Sequence, residues 1–154
     1  MENSKTQTAK IKVKVKQIVK KSPLPAYQTK GSSGLDLYAA IGVPVHIQPG
    51  EIKLIPTGIM LAIPSGYEGQ IRPRSGIALK YGITVLNTPG TIDADYRGEV
   101  NIILINMGKK TFRINSGDRI AQLVFNRVIK AEFELAKELD ETQRNEGGFG
   151  HTGN

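Results

Sequence analysis

The feature that most limits what this chain can fold into is its punctuation. Short apolar runs alternate with glycine- and proline-bearing breaks along most of its length. The breaks are explicit: Gly31-Ser32-Ser33-Gly34, Pro49-Gly50, Pro64-Ser65-Gly66, Asn87-Thr88-Pro89-Gly90 and Ser116-Gly117-Asp118. Glycine tolerates positive φ and proline locks φ, so each break turns the chain instead of extending a helix. The runs between them predict strands at Lys10–Gln17, Leu35–Ala39, Val43–Ile47, Glu51–Pro56, Ile59–Ile63, Glu68–Arg72, Ile83–Asn87, Glu99–Ile105, Thr111–Ile114, Arg119–Phe125 and Val128–Phe133. Strands at this spacing predict an all-β fold, a sandwich, jelly roll or barrel. One segment differs. Ser75-Gly76-Ile77-Ala78-Leu79-Lys80-Tyr81-Gly82 opens on a capping residue and closes on glycine, which predicts a helix of about two turns.

At 154 residues the chain predicts one domain with a sizeable core. Residues 1–9 are polar and without period, and read as disordered. Residues 10–136 form the expected β domain. Residues 137–154 read as a mixed-charge linker followed by a glycine-rich flap, Gly147 to Gly153. There a single ring, Phe149, sits in backbone almost free of side chains, which suits a flap that lays its amides on an anion. No apolar run could span a bilayer. Met1-Glu2-Asn3-Ser4-Lys5 lacks the apolar core of a signal peptide. There is no cysteine, hence no disulfide and no thiolate chemistry. The expectation is a cytoplasmic protein in a reducing compartment.

Charge is segregated. Residues 1–30 hold eight lysines against one acid, Glu2, and so carry the whole net charge of +7. Residues 31–154 hold 13 basic and 13 acidic residues. Lys10-Ile11-Lys12-Val13-Lys14-Val15-Lys16 alternates lysine with β-branched residues, a strand with a wet lysine face. A solvated outer strand is the preferred reading and polyanion contact the alternative. Nucleic acid is not expected as a partner.

Chemistry concentrates in Gly90-Thr91-Ile92-Asp93-Ala94-Asp95-Tyr96-Arg97-Gly98. Carboxylates are depleted in strands, so two of them beside a phenol call for a reason. The segment fails as an EF-hand loop, because Arg97 takes the fifth position and Leu104 stands where the bidentate glutamate belongs. His46 and His151 are far apart, with no cysteine to complete a zinc site. There is neither a Gly-x-Ser-x-Gly elbow nor a Walker loop. Hydrolytic chemistry, if present, must therefore rest on a carboxylate. Asp93 at the base of a hairpin can orient and deprotonate a water; a turn-stabilising aspartate is the bland alternative. Tyr96 offers a flat ring for a sugar or base, or simply packs in a strand. Pro73-Arg74-Ser75-Gly76 offers a guanidinium, a hydroxyl and helix N-terminal amides to phosphate; taken alone, an ordinary helix cap beside a surface arginine is the preferred reading. Gln122 and Asp36 are polar groups inside apolar strands, and each needs partners.

Five segments occur in order: Gly34-Leu35-Asp36-Leu37-Tyr38-Ala39-Ala40, Pro73-Arg74-Ser75-Gly76, Asn87 through Gly98, Gly117-Asp118-Arg119-Ile120-Ala121-Gln122-Leu123, and Arg144 through Gly153. Together they closely resemble the five-motif signature of the trimeric deoxyuridine triphosphatases (dUTPases). The resemblance implies a distorted jelly-roll or β-barrel subunit with one short helix, in a homotrimer whose active sites lie at subunit interfaces. It implies hydrolysis of dUTP at the α-phosphorus to dUMP and pyrophosphate, which limits uracil in DNA and supplies dUMP for thymidylate synthesis. Asp93 matches the catalytic carboxylate, and Tyr96 the ring that excludes a ribose 2′-hydroxyl. Asn87, Gly90, Thr91 and Ile92, with Asn101, match the uracil pocket. Arg74, Ser75 and Gly76 match the phosphate motif of a neighbouring subunit, and Gln122 lies near the phosphates. Asp36 matches the aspartate linked through water to Mg2+ held mainly by the triphosphate. Arg144, Phe149, Gly150 and Thr152 match the flap. His151 stands where serine is usual and Asn145 where glycine is usual. A dCTP deaminase is the rival within the fold, and a non-catalytic binding module the rival outside it.

Overall fold

The computed structural model describes residues 10–148. The expected disordered stretch 1–9 and the tip of the expected flap, Phe149 to Asn154, lie outside the described residues. Ten strands and one helix follow in order: β1 Lys14–Gln17, β2 Leu35–Tyr38, β3 Val45–Ile47, β4 Ile52–Ala62, β5 Tyr67–Arg72, α1 Ser75–Tyr81, β6 Ile83–Val85, β7 Gly90–Ile92, β8 Glu99–Asn106, β9 Phe112–Ile114 and β10 Arg119–Arg127. They form three antiparallel sheets, ordered β1-β4-β8-β6, β2-β10-β5-β7 and β3-β9. This is the all-β class that the turn spacing predicts and the jelly-roll architecture that the resemblance implies.

Period-two patterning explains why these residues pair. Along β8, Val100, Ile102, Leu104 and Asn106 point inward, while the residues between them are half-buried. The inward rows of β4, β8 and β10 meet in a core of Ile55, Ile59, Ile102, Leu104, Ile120 and Leu123. The buried Asn106 has its partners. Its amide donates to the carbonyls of Ile47 and Lys110, both at 2.8 Å, and its oxygen accepts from the Gly108 N–H. A buried amide so satisfied ties the small third sheet to the first.

Four expectations need correction. Glu51–Pro56 and Ile59–Ile63 are one bulged strand, β4, not two. Pro56 lies opposite Asn101 and Met60 opposite Glu99, so extra residues are accommodated between them. Gly58 makes this possible, with φ of +69° and a Cβ position only 2.2 Å from Ser22 Oγ. The first strand is shorter than Lys10–Gln17, its ladder beginning at Lys14. Val128–Phe133 is not a strand. The Val128 N–H still donates to Gly66, but beyond it Ile129, Phe133, Leu135 and Leu139 stand almost wholly exposed. Among the described residues, no strand lies there to pair with them. Finally, Ser75 does not cap α1: the cap position is Arg74, in extended geometry and with no side-chain bond to the helix. The closing Gly82 is left-handed as expected, at φ +71°.

Candidate active site

Two sheet edges meet beside the turn that joins β7 to β8; these strands lie in different sheets and do not pair, so Asp93 sits in a crossing turn and not at the base of a hairpin. β7 is the outer strand of the second sheet and β6 the outer strand of the first. Between them opens a cavity of about 180 Å³. Gly90, Thr91 and Ile92 of β7 form one wall; Glu99, Val100, Asn101 and Ile103 of β8 form the other. Ile71 and Val85 supply apolar surface, and Asn87, Asp93 and Tyr96 complete the lining. The pocket is small beside the roughly 300–1,000 Å³ that drug-sized ligands occupy. Its volume matches a single ring better than a whole nucleotide. An outer strand leaves N–H and C=O groups unpaired along its open side. The wall made by β7 therefore offers main-chain donors and acceptors to that ring.

The turn after β7 fixes the polar side chains. The Tyr96 N–H donates to the Asp93 carbonyl at 3.1 Å, closing the turn. Asp93 itself is exposed to solvent. The Tyr96 hydroxyl donates to the Glu99 carbonyl at 3.0 Å, and Asn101 Nδ2 donates to the same oxygen at 3.2 Å. The Tyr96 ring thus folds back over Gly98. A Cβ at Gly98 would lie 2.3 Å from Tyr96 Oη and 2.5 Å from Cζ, so this ring position needs glycine there. Arg97 donates to the Ala94 and Tyr96 carbonyls and braces the turn from outside.

A second polar group gathers across the other end of the same sheet. Asp36 of β2 lies opposite Gln122 of β10, which in turn lies opposite Arg72 of β5. Asp36, buried, accepts from Arg74 Nε at 3.1 Å through one oxygen and from Arg119 Nη1 at 3.2 Å through the other. Arg74 Nη1 also donates to the Arg119 carbonyl at 3.0 Å. A bulge between Arg119 and Ala121 buries two consecutive residues, Ile120 and Ala121, and directs that carbonyl toward Arg74. Gln122 Nε2 donates to the Pro73 carbonyl at 2.9 Å, which holds the chain leading into Arg74. A Cβ at Gly34 would fall 2.2 Å from Gln122 Oε1, so glycine there leaves room for the amide. The cation anticipated as a phosphate ligand is held in place by the aspartate anticipated as a metal partner.

The chain brings these two groups together within themselves but not with each other. β2 and β7 are three strand spacings apart, roughly 14 Å. Ser75 and Gly76 are exposed at the start of α1. Arg144 donates to the Gly147 carbonyl at 2.7 Å in a turn of its own. Asn145 in that turn has φ of +40°, so it takes the left-handed geometry that glycine would otherwise supply. Phe149, Gly150, His151 and Thr152 lie outside the described residues.

The donor set also bears on a metal. Among the described residues, no three His, Cys, Asp or Glu side chains cluster to hold an ion. Asp36 uses one lone pair of each oxygen on a guanidinium and keeps the others. That fits an ion that arrives with an anionic substrate and keeps its waters, not a resident cation in a protein cage.

Sequence reasoning missed the back wall of the pocket and Arg119. Ile71, Val85, Glu99 and Ile103 line the cavity, and period-two counting from Asn101 reaches both Glu99 and Ile103.

Comparison with known proteins places this geometry in context. The family model described as dUTPase matches residues 20–153. The deoxyuridine 5′-triphosphate nucleotidohydrolase of Thermoanaerobacter sp. is 57% identical over 143 residues, covering 93% of this chain and 97% of its own length. The protein of the same name from Syntrophotalea carbinolica is 59% identical over the same shares. Among solved structures, a mutant dUTPase of Staphylococcus bacteriophage 80alpha with dUpNHpp superposes with a TM-score of 0.83 at 26% identity, covering 92% of this chain and 98% of that one. A mutant dUTPase of phage phi11, described with a structural Mg(II) ion, superposes with a TM-score of 0.75 at 25% identity, covering 83% and 98%.

Proposed function

The chain belongs to the dUTPase family, and from that premise we propose how its residues carry out the hydrolysis of dUTP to dUMP and pyrophosphate. One observation carries the reading: a ring-sized pocket walled by an open strand edge, with Asp93 at its lining. The base enters the pocket, and main-chain groups of Gly90 to Ile92 pair with its carbonyls and imide N–H. Asn87 and Asn101 complete the set. Cytosine would present a donor where uracil presents an acceptor and leave buried groups unpaired, a mismatch that rejects an analogue strongly. The sugar lies against Tyr96. Asp93 takes a proton from a water, the resulting hydroxide attacks the α-phosphorus, and the bond to the bridging oxygen breaks to release pyrophosphate.

The phosphates need cations that one chain does not bring to its own pocket. Arg74, with Ser75, Gly76 and Gln122, sits across the sheet and would serve the pocket of a neighbouring copy in a homotrimer. The open apolar residues Ile129, Phe133, Leu135 and Leu139 support an assembled state, since exposed apolar surface of this extent marks contact with another protein. Asp36 would hold a water of the Mg2+ that accompanies the triphosphate. That ion supplies charge neutralisation to the phosphates. Arg144, Phe149, Gly150 and Thr152 would close over the bound nucleotide. A reducing, cytoplasmic setting suits a cysteine-free enzyme of nucleotide metabolism.

A nucleotide panel tests the reading. Pyrophosphate release is expected from dUTP, with dCTP turned over at least about 10³-fold less efficiently, the order that buried hydrogen-bond mismatches reach, and dTTP, which keeps uracil's hydrogen-bonding pattern, excluded by the steric bulk of its methyl group. Ammonia release from dCTP would instead point to a deaminase. Gly98→Ala probes the sugar wall. The added methyl must displace the Tyr96 ring, so discrimination of dUTP against UTP, read as the ratio of kcat/KM values, is expected to fall roughly tenfold. An unchanged ratio would remove Tyr96 from that role.

A further inference from the structure

We propose that the lysine row leading into and along β1 is a sequence-independent landing surface for a nucleic-acid phosphate backbone, separate from the dUTP site. Exposure alternates from Lys10 to Lys14: the lysines are open, while Ile11 and Val13 are half-buried. Val13 packs on the core. Lys14 and Lys16 then pair with Ala62 and Met60 at the outer edge of the first sheet. Lys10, Lys12, Lys14 and Lys16 therefore project from one face. Alternate residues of an extended strand are about 6.8 Å apart. Two nucleotides along one strand of a duplex also rise about 6.8 Å. The row thus matches every second phosphate over a short stretch.

The charge on this face is uncompensated. No acid occurs between Lys10 and Lys30. Among the described residues, none of the seven lysines in that span lies within ion-pair distance of a carboxylate. The rest of the chain is neutral, so the field of the molecule is set at this edge. A lipid surface is the competing partner for lysines, but it would need apolar side chains on the same face. Here Ile11 and Val13, between the first three lysines, turn to the other face and are half-buried, and only Val15 is open. Lysine is a point charge with no fork to read base edges, so contact with phosphate carries affinity without sequence preference.

The test uses the full chain and a labelled DNA duplex, with binding read by fluorescence anisotropy at 50 and 200 mM salt. Four phosphate contacts predict a log–log slope of about −3.6, a loss of about 150-fold across that range. In the triple variant Lys12→Gln, Lys14→Gln, Lys16→Gln the slope should fall to about −0.9. Turnover of dUTP should stay at the parent value, which also shows that the variant folds. Absence of duplex binding at 50 mM salt would overturn the proposal. So would an unchanged slope in the variant, or preference for phosphatidylserine vesicles over the duplex.

Discussion

Asp93→Asn is expected to lower pyrophosphate release from dUTP by on the order of 10²–10⁴-fold, the contribution typical of a positioned general base. Asparagine keeps the size of the side chain and its place in the turn, which is closed by the main-chain bond from Tyr96 to Asp93. It removes only the ability to accept a proton. Affinity for dUpNHpp, measured by calorimetry, should therefore change little. The split between the two readouts is the informative result. Turnover near the parent rate would show that another group activates the water. A parallel loss of binding would show that the carboxylate serves to hold the turn, the bland alternative its sequence context allows.

Deleting residues 144–154 should have the next largest effect, a fall in kcat/KM on the order of 10²-fold. Without a cover the site is open. Asp93 and Tyr96 are both solvent-exposed, and the pocket matches a single ring in volume. The triphosphate must lie outside it, in water. There, electrostatic contacts are weak and the attacking water is not ordered. The segment from Arg144 onward carries the cation, the ring and the hydroxyl that could enclose it. Light scattering should give the same number of subunits for the truncated and full-length assemblies, because the exposed apolar residues precede the deletion. Retained activity would show that the site is completed by something other than this segment.

Much of the architecture was legible because its punctuation is local. Proline–glycine breaks act over two or three residues, so they mark turns without reference to the rest of the fold. The failures occurred where the deciding partner is remote in sequence. The joining of two predicted strands into β4 depends on Asn101 and Glu99 across the sheet. Val128–Phe133 has strand composition but no neighbouring strand among the described residues, and composition cannot supply one. β7 is only three residues long and begins with glycine, too short for alternation to register. The side chains of the turn after β7 were legible together because they are contiguous. The partnership of Asp36 with Arg119 spans 83 positions, and nothing near either residue announces it.

The open edge of β7 has an evolutionary consequence. Hydrogen-bonding groups that belong to the peptide unit are common to every amino acid except proline, which lacks the donor. If those groups discriminate between bases, a single codon change at Thr91 alters the pocket's shape but seldom its lettering. Such a recognition surface drifts slowly, and it is lost mainly through changes that divert the path of the chain.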